Sequence, residues 1–308
     1  MMSNEELTTG PNMFSGAAQM WKDIATKFRD NVNEDFFSQF RDPDSESLHF
    51  ATWPPKEPTY RYFLTLIFNA VRTRDEKFFS NLRSLGNTTL GNPLGVKMNG
   101  VEITLDYLLS LEEFDFLESV VDIKNITTAV EIGAGFGRTA HTLIKLIPKL
   151  DHYTIIDLEP VLEISRGYLS RVIPDQFDKL NFVAAHDEDE WKNIRADIAI
   201  NVDSFQEMPS GAIDNYRDNL LADVPIVYIK NPVCKYNPEL LGIAVSGDHD
   251  VFSLGYMTEM ANIFDEDDLI KMRQLYGRRY CPSPDHDVIS STPSDVVPYY
   301  QHILYKTS

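Results

Sequence analysis

The chain has 308 residues, 43% hydrophobic and 24% charged, enough to bury the core of one large domain or two small ones. Lys and Arg number 28 against 47 Asp and Glu, a formal net charge of −19, so nucleic acids and anionic membranes are not expected partners and a small or neutral one is. Two cysteines, Cys234 and Cys281, give no disulfide framework or zinc cluster, and with the polar start MMSNEELTTG and no long apolar run the expected compartment is the cytoplasm.

The first third reads as helices. Phe14, Ala17, Ala18, Trp21, Ile24, Ala25 and Phe28 recur at helical spacing, and a short second helix carries Phe36, Phe37 and Phe40 before Asp42-Pro43-Asp44 stops it. Tyr60 to Val71 is strongly apolar, and Asp75 to Leu85 places Phe78, Phe79 and Leu82 on one face. Leu85 to Gly100, rich in glycine, reads as a loop or hairpin, after which Thr104 caps a helix bearing Leu105, Leu108, Leu109 and Leu111. Residues 1–124 are therefore expected to form a helical cap that lines a ligand pocket or packs against the rest, with a homodimer through these helices as a further expectation. Residues 125–308 form the second unit.

That unit opens on VEIGAGFGRTA, Val130 to Ala140. A buried strand (Ala129, Val130, Ile132) runs into Gly133, Gly135 and Gly137, followed by a helix with Ala140, Leu143, Ile144 and Ile147 on one face. Glycine lets a ligand lie against bare backbone. A dinucleotide fingerprint would place its third glycine where Arg138 stands. The pattern is instead acid-x-Gly-x-Gly-x-Gly, with Glu131 inside the strand, where it would repel a pyrophosphate and suit a cation.

This stretch resembles motif I of the class I S-adenosylmethionine-dependent methyltransferases. The resemblance implies an α/β fold with a doubly wound, mainly parallel, seven-stranded Rossmann-like sheet and S-adenosylmethionine as cofactor. It also implies that Gly133, Ala134 and Gly135 lie against the cofactor's methionine and ribose portions, with Glu131 facing its ammonium. The next strand, Tyr153 to Ile156, ends in Asp157 and Leu158; Asp157 is expected at the ribose hydroxyls, with a cap for the following helix as its alternative. After the third strand, Leu180 to Ala184, comes His186-Asp187, placed at the adenine by the methyltransferase layout or else part of a solvated acidic loop.

The fourth strand, Asp197 to Val202, and its exit carry Asn201, Asp203, Ser204 and Glu207, which a strand end of such a sheet brings to the ligand crevice. The run N-x-x-S-F-x-E-M-P, with VEIGAGFGRTA and YTIIDLEPVL, is similar to a bacterial family of sugar O-methyltransferases over roughly Leu90 to Ser308. Pro225 to Ile229 is the fifth strand, with Lys230-Asn231-Pro232 leaving it toward the site. A long connection, Val233 to Met257, suits a lid. Asp265 caps a helix to Tyr276, Arg279-Tyr280-Cys281 is an outer strand, and Tyr299 to Lys306 closes the sheet.

The reaction implied is in-line methyl transfer to a hydroxyl, for which a base is needed. His249, between Asp248 and Asp250, is the first candidate, because an adjacent carboxylate orients and strengthens an imidazole; Glu207 and Asp203 are the next. His286 has a similar setting and His141 reads as structural. Magnesium near Asp203 is an option that no ligand spacing demands, so no metal residues are assigned. Three acceptor readings follow: a sugar or sugar-like hydroxyl; another natural product, aromatic or peptidic, taking methyl on O or N in secondary metabolism; or a catalytically inactive binding protein of the same fold. Lys230, Lys235, Arg278 and Arg279 are the candidates for meeting a nucleotide-sugar pyrophosphate.

Overall fold

Local capping sets the start of each early helix in the computed structural model, which describes residues 33–41, 59–238, 240 and 252–308. Asn33 accepts from the Phe36 amide to open α1 (Glu34–Gln39), and Asp75 accepts from Phe78 to open α3 (Glu76–Leu85). Between them lies α2 (Thr59–Val71). The glycine-rich stretch resolves as a hairpin, β1 (Gly95–Met98) and β2 (Val101–Thr104). Its turn is Asn99-Gly100, both at positive φ (49° and 81°), the pairing that two-residue hairpin turns demand. Thr104 then caps α4 (Leu105–Val120) through the Tyr107 amide, as expected. The expected Phe14–Arg29 helix and the Asp42-Pro43-Asp44 stop lie outside the described residues.

The seven-stranded sheet follows from alternation of short Ile/Val-rich runs with amphipathic helices. Its first strands are β3 (Thr128–Ile132), β4 (His152–Asp157), β5 (Leu180–Ala184), β6 (Ile198–Val202) and β7 (Ile226–Pro232). The short strands β8 (Lys235–Tyr236) and β9 (Met260–Ala261) pair with each other, and β10 (His286–Pro293) and β11 (Tyr300–Thr307) complete the main sheet. Its order is β10-β11-β7-β6-β3-β4-β5, parallel from β5 to β7, with β11 antiparallel to both neighbours. This is the expected doubly wound, Rossmann-like sheet. The chain winds outward from β3 in one direction and returns to its other side at β6, so the switch point, where open α/β sheets generally bind ligands, falls at the C-terminal ends of β3 and β6.

Two expectations about this half are corrected. Lys230, Asn231 and Pro232 do not leave the fifth strand; they continue β7 because β11 pairs with them, Lys230 opposite His302 and Pro232 opposite Tyr300. Arg279 belongs to α9 (Glu266–Arg279), which Asp265 caps through the Asp267 and Asp268 amides, and the outer strand is β10 instead. Arg278 and Arg279 close the last turn of this helix, where basic residues favour its negative end.

Successive side chains of each strand go to opposite faces. Ala129, Tyr153, Ile155 and Tyr228 join a core with Phe114, Leu117 and the helices α5 (Arg138–Leu146) and α6 (Glu159–Val172). Val130, Ile132, Val227 and Ile229 face Ile213 and Tyr216 of α8 (Ser210–Asn219) and Leu269 and Tyr276 of α9. The segment at α1 closes the first face: Phe40 lies edge-on to Phe136 and Tyr168. Arg41 beside it is buried, paired with Asp106 at 2.8 Å.

The first face also contains ions. Lys230 Nζ lies 3.0 Å from Glu112 and 3.1 Å from Glu113, and all three side chains are buried. Glu113 also takes the Arg138 guanidinium at 3.1 and 3.3 Å. Glu112 accepts from Ser294 Oγ and from the amides of Asp295 and Val296. Burial opposes its charge, but Lys230, His302 and Ser294 outweigh burial and hold Glu112 well below the usual carboxylate range. Its contribution to stability is therefore present above the ordinary glutamate range and is lost only as pH falls through that depressed value. Removing the shared cation should be severe. Lys230→Met leaves two buried carboxylates one cation short, with an expected loss of ~3–5 kcal/mol in urea unfolding; a midpoint unchanged from wild type would show the network to be dispensable.

Candidate functional site

The turn after β3 is shaped by two glycines with different duties. Gly133 has φ 74°, and a Cβ there would fall on the Cβ and Oγ of Ser204, so this position is glycine because the β6 exit packs against it. Gly135 has φ 60°, and a Cβ there would meet nothing within 4 Å. One glycine holds the turn against protein; the other faces open space. Ala134 between them is buried.

Two acids border this turn. Glu131 is 1% exposed and accepts from Tyr153 Oη at 2.9 Å. Burial pushes its carboxyl up to about 7, against the Tyr153 hydrogen bond and Arg138. Asp157, ending the neighbouring strand β4, accepts from the Gly135 amide at 3.0 Å and from Leu158 at 2.7 Å. Burial pushes it also to about 7. The side chain of Asp157 thus spans from β4 to the glycine turn and makes no cap bond to α6, whose N-cap residue is Leu158.

The β6 exit completes the crevice. Asn201, expected at the cofactor, is enclosed at 1% exposure: its Nδ2 donates to Ile132 O and Ser204 Oγ (2.9 and 2.5 Å), and its Oδ1 accepts from Asn231 and Phe205. It braces the turn from beneath. Ser204 Oγ donates to Ile132 O at 3.0 Å, tying the two strand ends together. Asp203 sits at φ 63°, a left-handed conformation that costs a non-glycine residue on the order of 1 kcal/mol. Its Oδ1 accepts from Tyr300 Oη at 2.7 Å and from Gln206 Nε2. Burial pushes the Asp203 carboxyl up to about 6, opposed by the Tyr300 hydrogen bond, Arg138 and Lys230. Glu207 follows in the same turn, and Lys235, buried, donates to the Gln206 carbonyl at 2.8 Å.

The remaining sequence candidates disperse. His186 and Asp187 are exposed on the loop after β5, 3.5 Å apart, just before α7 (Glu188–Trp191). His249, with Asp248 and Asp250, lies outside the described residues. His286 is 4% exposed and bonded to Ser283 and the Val224 carbonyl, so it has no site role. His141 is structural as expected: its Nε2 donates to Leu85 O and its Nδ1 accepts from Tyr107, and burial pushes it down to about 4. Of the basic candidates, Lys230 and Lys235 are buried, Arg279 pairs with Glu259, and Arg278 is exposed near the end of α9. No group of three or more His, Cys, Asp or Glu able to hold a metal occurs among the described residues.

Glu112, Glu113, Arg138, Tyr153 and Tyr300 were not anticipated. Glu112-Glu113 had a signal: two acids inside a helix whose residues Leu105 to Phe114 are all buried. Tyr153 and Tyr300 had none, because a tyrosine in a strand reads as core.

No family profile and no curated protein matches the sequence. Solved structures show distant similarity. The methyltransferase domain of bacterial CtHen1-C is 14% identical over 65% of this chain and 97% of its own, with a TM-score of 0.44. The mitomycin 7-O-methyltransferase MmcR is 15% identical over 88% of this chain and 73% of its own, also at 0.44. The O-methyltransferase NcsB1 from neocarzinostatin biosynthesis, in complex with S-adenosylmethionine and 2-hydroxy-5-methyl naphthoic acid, is 14% identical over 66% and 56%, at 0.42. Likeness this remote leaves the chemistry to this chain's own residues.

The two glycines should separate on substitution. Gly135→Ala is expected to fold, losing only the ~1 kcal/mol of a strained positive φ, yet to lose any ligand that lies on the turn. Gly133→Ala, driven into Ser204, should lower the melting temperature markedly. Equal thermal shifts for the two variants would contradict this division.

Proposed function

We propose that this chain is a class I S-adenosylmethionine-dependent methyltransferase acting on a hydroxyl of a small acceptor, a sugar or sugar-like molecule being the acceptor its post-β6 motif suggests. The observation that carries the reading is that a Cβ at Gly135 would meet nothing within 4 Å while the Gly135 amide is held by Asp157, in the turn after β3 at the switch point of the sheet. A cofactor with an ammonium, a sulfonium and no phosphate fits an acidic cradle. When bound, S-adenosylmethionine supplies an electrophilic methyl group on sulfur.

The chain's own residues do the rest. Glu131 receives positive charge, Gly133, Ala134 and Gly135 present backbone, and Asp157 with Leu158 offers acceptors for ribose hydroxyls. Ser204 holds the turn closed from the β6 side, and His186 and Asp187 border the far rim. Alignment of the reacting groups and exclusion of water can contribute up to ~7–11 kcal/mol. The proton of the acceptor hydroxyl needs a base, and Asp203, at the β6 exit with a carboxyl near 6, is the described residue best suited to it. Glu207 and His249 are its rivals.

A second acceptor class has an observation in its favour. Tyr299 and Tyr300 have ring centroids 5.2 Å apart, and Tyr236 meets Phe252 edge-on at 5.9 Å, so planar apolar acceptors would find aromatic surface near Asp203. Turnover of a phenol but of no sugar would select it.

Titration calorimetry tests the cofactor. Burial raises Glu131 and Asp157 to about 7, and a cation and two hydroxyls favour their charged forms. Affinity for S-adenosylmethionine should therefore increase as pH rises through about 7, with protons released on binding. Asp157→Ala should weaken binding by ~1.5–3 kcal/mol. Absence of binding by the wild type would end the reading.

The base is tested separately. Asp203→Asn is expected to lower kcat by about 10²–10⁴-fold with cofactor affinity nearly unchanged, and His249→Ala to remain active. The reverse result would give the role to His249.

A further inference from the structure

Asp203 is an unusual residue for the position it holds. It takes a left-handed conformation at φ 63° where a glycine would relax, and its amide donates to Lys230 O at 2.8 Å, which fixes the backbone there. Its two oxygens are unequal. Oδ1 accepts from both Tyr300 Oη and Gln206 Nε2, whereas no donor reaches Oδ2 among the described residues. Tyr300 comes from the other end of the chain, on the antiparallel strand β11, opposite Pro232 in the register.

Tyr300 is itself held in place. The turn that precedes it is gripped by Glu112, which accepts from Ser294 Oγ and the Asp295 and Val296 amides, and the Tyr300 amide donates to Val297 O at 2.8 Å. The phenol therefore reaches Asp203 from a turn anchored by a buried carboxylate.

Resting on the reading above, we propose that Tyr300 is a positioning residue: by occupying Oδ1 it orients Asp203 so that Oδ2 receives the acceptor's proton. In that step the acceptor oxygen keeps its electron pair, the proton moves to Oδ2, and it leaves to solvent before the next turnover. Gln206 holds the same oxygen from the β6 side. The groups that act on Asp203 are Tyr300 and Tyr299 from the β11 end, Arg138 from α5, Lys230 from β7, Glu113 from α4 and Lys235 from β8. Arg138, Lys230, Lys235 and the Tyr300 hydroxyl favour the carboxylate; Glu113 and burial oppose it, and Tyr299 stays neutral where Asp203 titrates.

The sign of the test follows. A hydrogen bond to the charged form lowers a carboxyl's proton affinity, so its loss must raise it. Full-length protein carrying aspartate labelled with carbon-13 at the carboxyl, with Asp203→Asn assigning the resonance, should show the apparent pKa of Asp203 higher by about half a unit or more in Tyr300→Phe. Methyl transfer to two probes, methyl α-D-glucopyranoside and 4-nitrocatechol, should show the acid limb of kcat moving up by the same amount. Above the limb kcat should stay within about threefold of wild type, and the dissociation constant for S-adenosylmethionine should not change. Should Tyr300→Phe fold poorly, Gln206→Leu removes the other donor to Oδ1 and should shift both readouts in the same direction. An unmoved resonance, or an acid limb that stays where it is in wild type, would overturn the inference. Failure of wild-type protein to bind S-adenosylmethionine would instead retire the proposed function, while the titration still reports on the Asp203–Tyr300 pair.

Discussion

The Glu112–Lys230–Glu113–Arg138 chain is the constraint on which the crevice depends. Ions in a low-dielectric interior are tolerated only when each is paired and hydrogen-bonded, so their geometry is narrowly determined. Here the pairing ties four elements together. Arg138 begins the helix after the glycine turn, Glu112 and Glu113 belong to α4, Lys230 lies in β7, and Glu112 extends the chain to the turn before β11. Replacement of a buried ion network by well-packed apolar side chains is often neutral for stability. It would not keep the register between the glycine turn and the strand that supplies Tyr300.

The β6 exit shows how that register is used. Ser204 fills the space a side chain at Gly133 would take, Asn201 spans from Ile132 to Asn231, and the Gly255 amide donates to Met208 O at 2.7 Å. Backbone ties of this kind leave Asp203 little freedom, which is how a left-handed non-glycine residue persists there. The strain is local and the restraint is global.

Much of this was legible in the sequence because it depends on short-range pattern. The glycine turn, the acid preceding it, the strand ends at Asp157 and Asp203, and the caps at Thr104 and Asp265 all follow from spacing and residue type. What was not legible depends on long-range pairing. Lys230 looked like the way out of a strand because nothing local shows that β11 will pair beside it. Arg279 looked like an edge strand because helix ends are set by what packs on them. Asn201 looked like a ligand-facing amide, yet contacts with Ile132 and Asn231, 69 and 30 residues away in sequence, use all of its polar atoms. Tyr300 meets Asp203 across 97 residues, and no periodicity could report that contact.

The charge of the crevice then explains the residue at position 138. Three carboxyls, Glu131, Asp157 and Asp203, end neighbouring strands β3, β4 and β6, and burial raises the proton affinity of each. An arginine beside them could neutralise the pocket. The guanidinium of Arg138 bonds Glu113 and the Asp106 carbonyl, and from there it favours the charged forms of Glu131 and Asp203 without outweighing their burial. Burial holds these carboxyls toward their neutral forms, and a nearby cation would favour the charged ones. A dinucleotide site has the opposite need, with glycine close to a pyrophosphate and positive potential around it. Here the same strand–turn–helix unit stands beside acids instead, and the arginine that starts its helix is paired with Glu113.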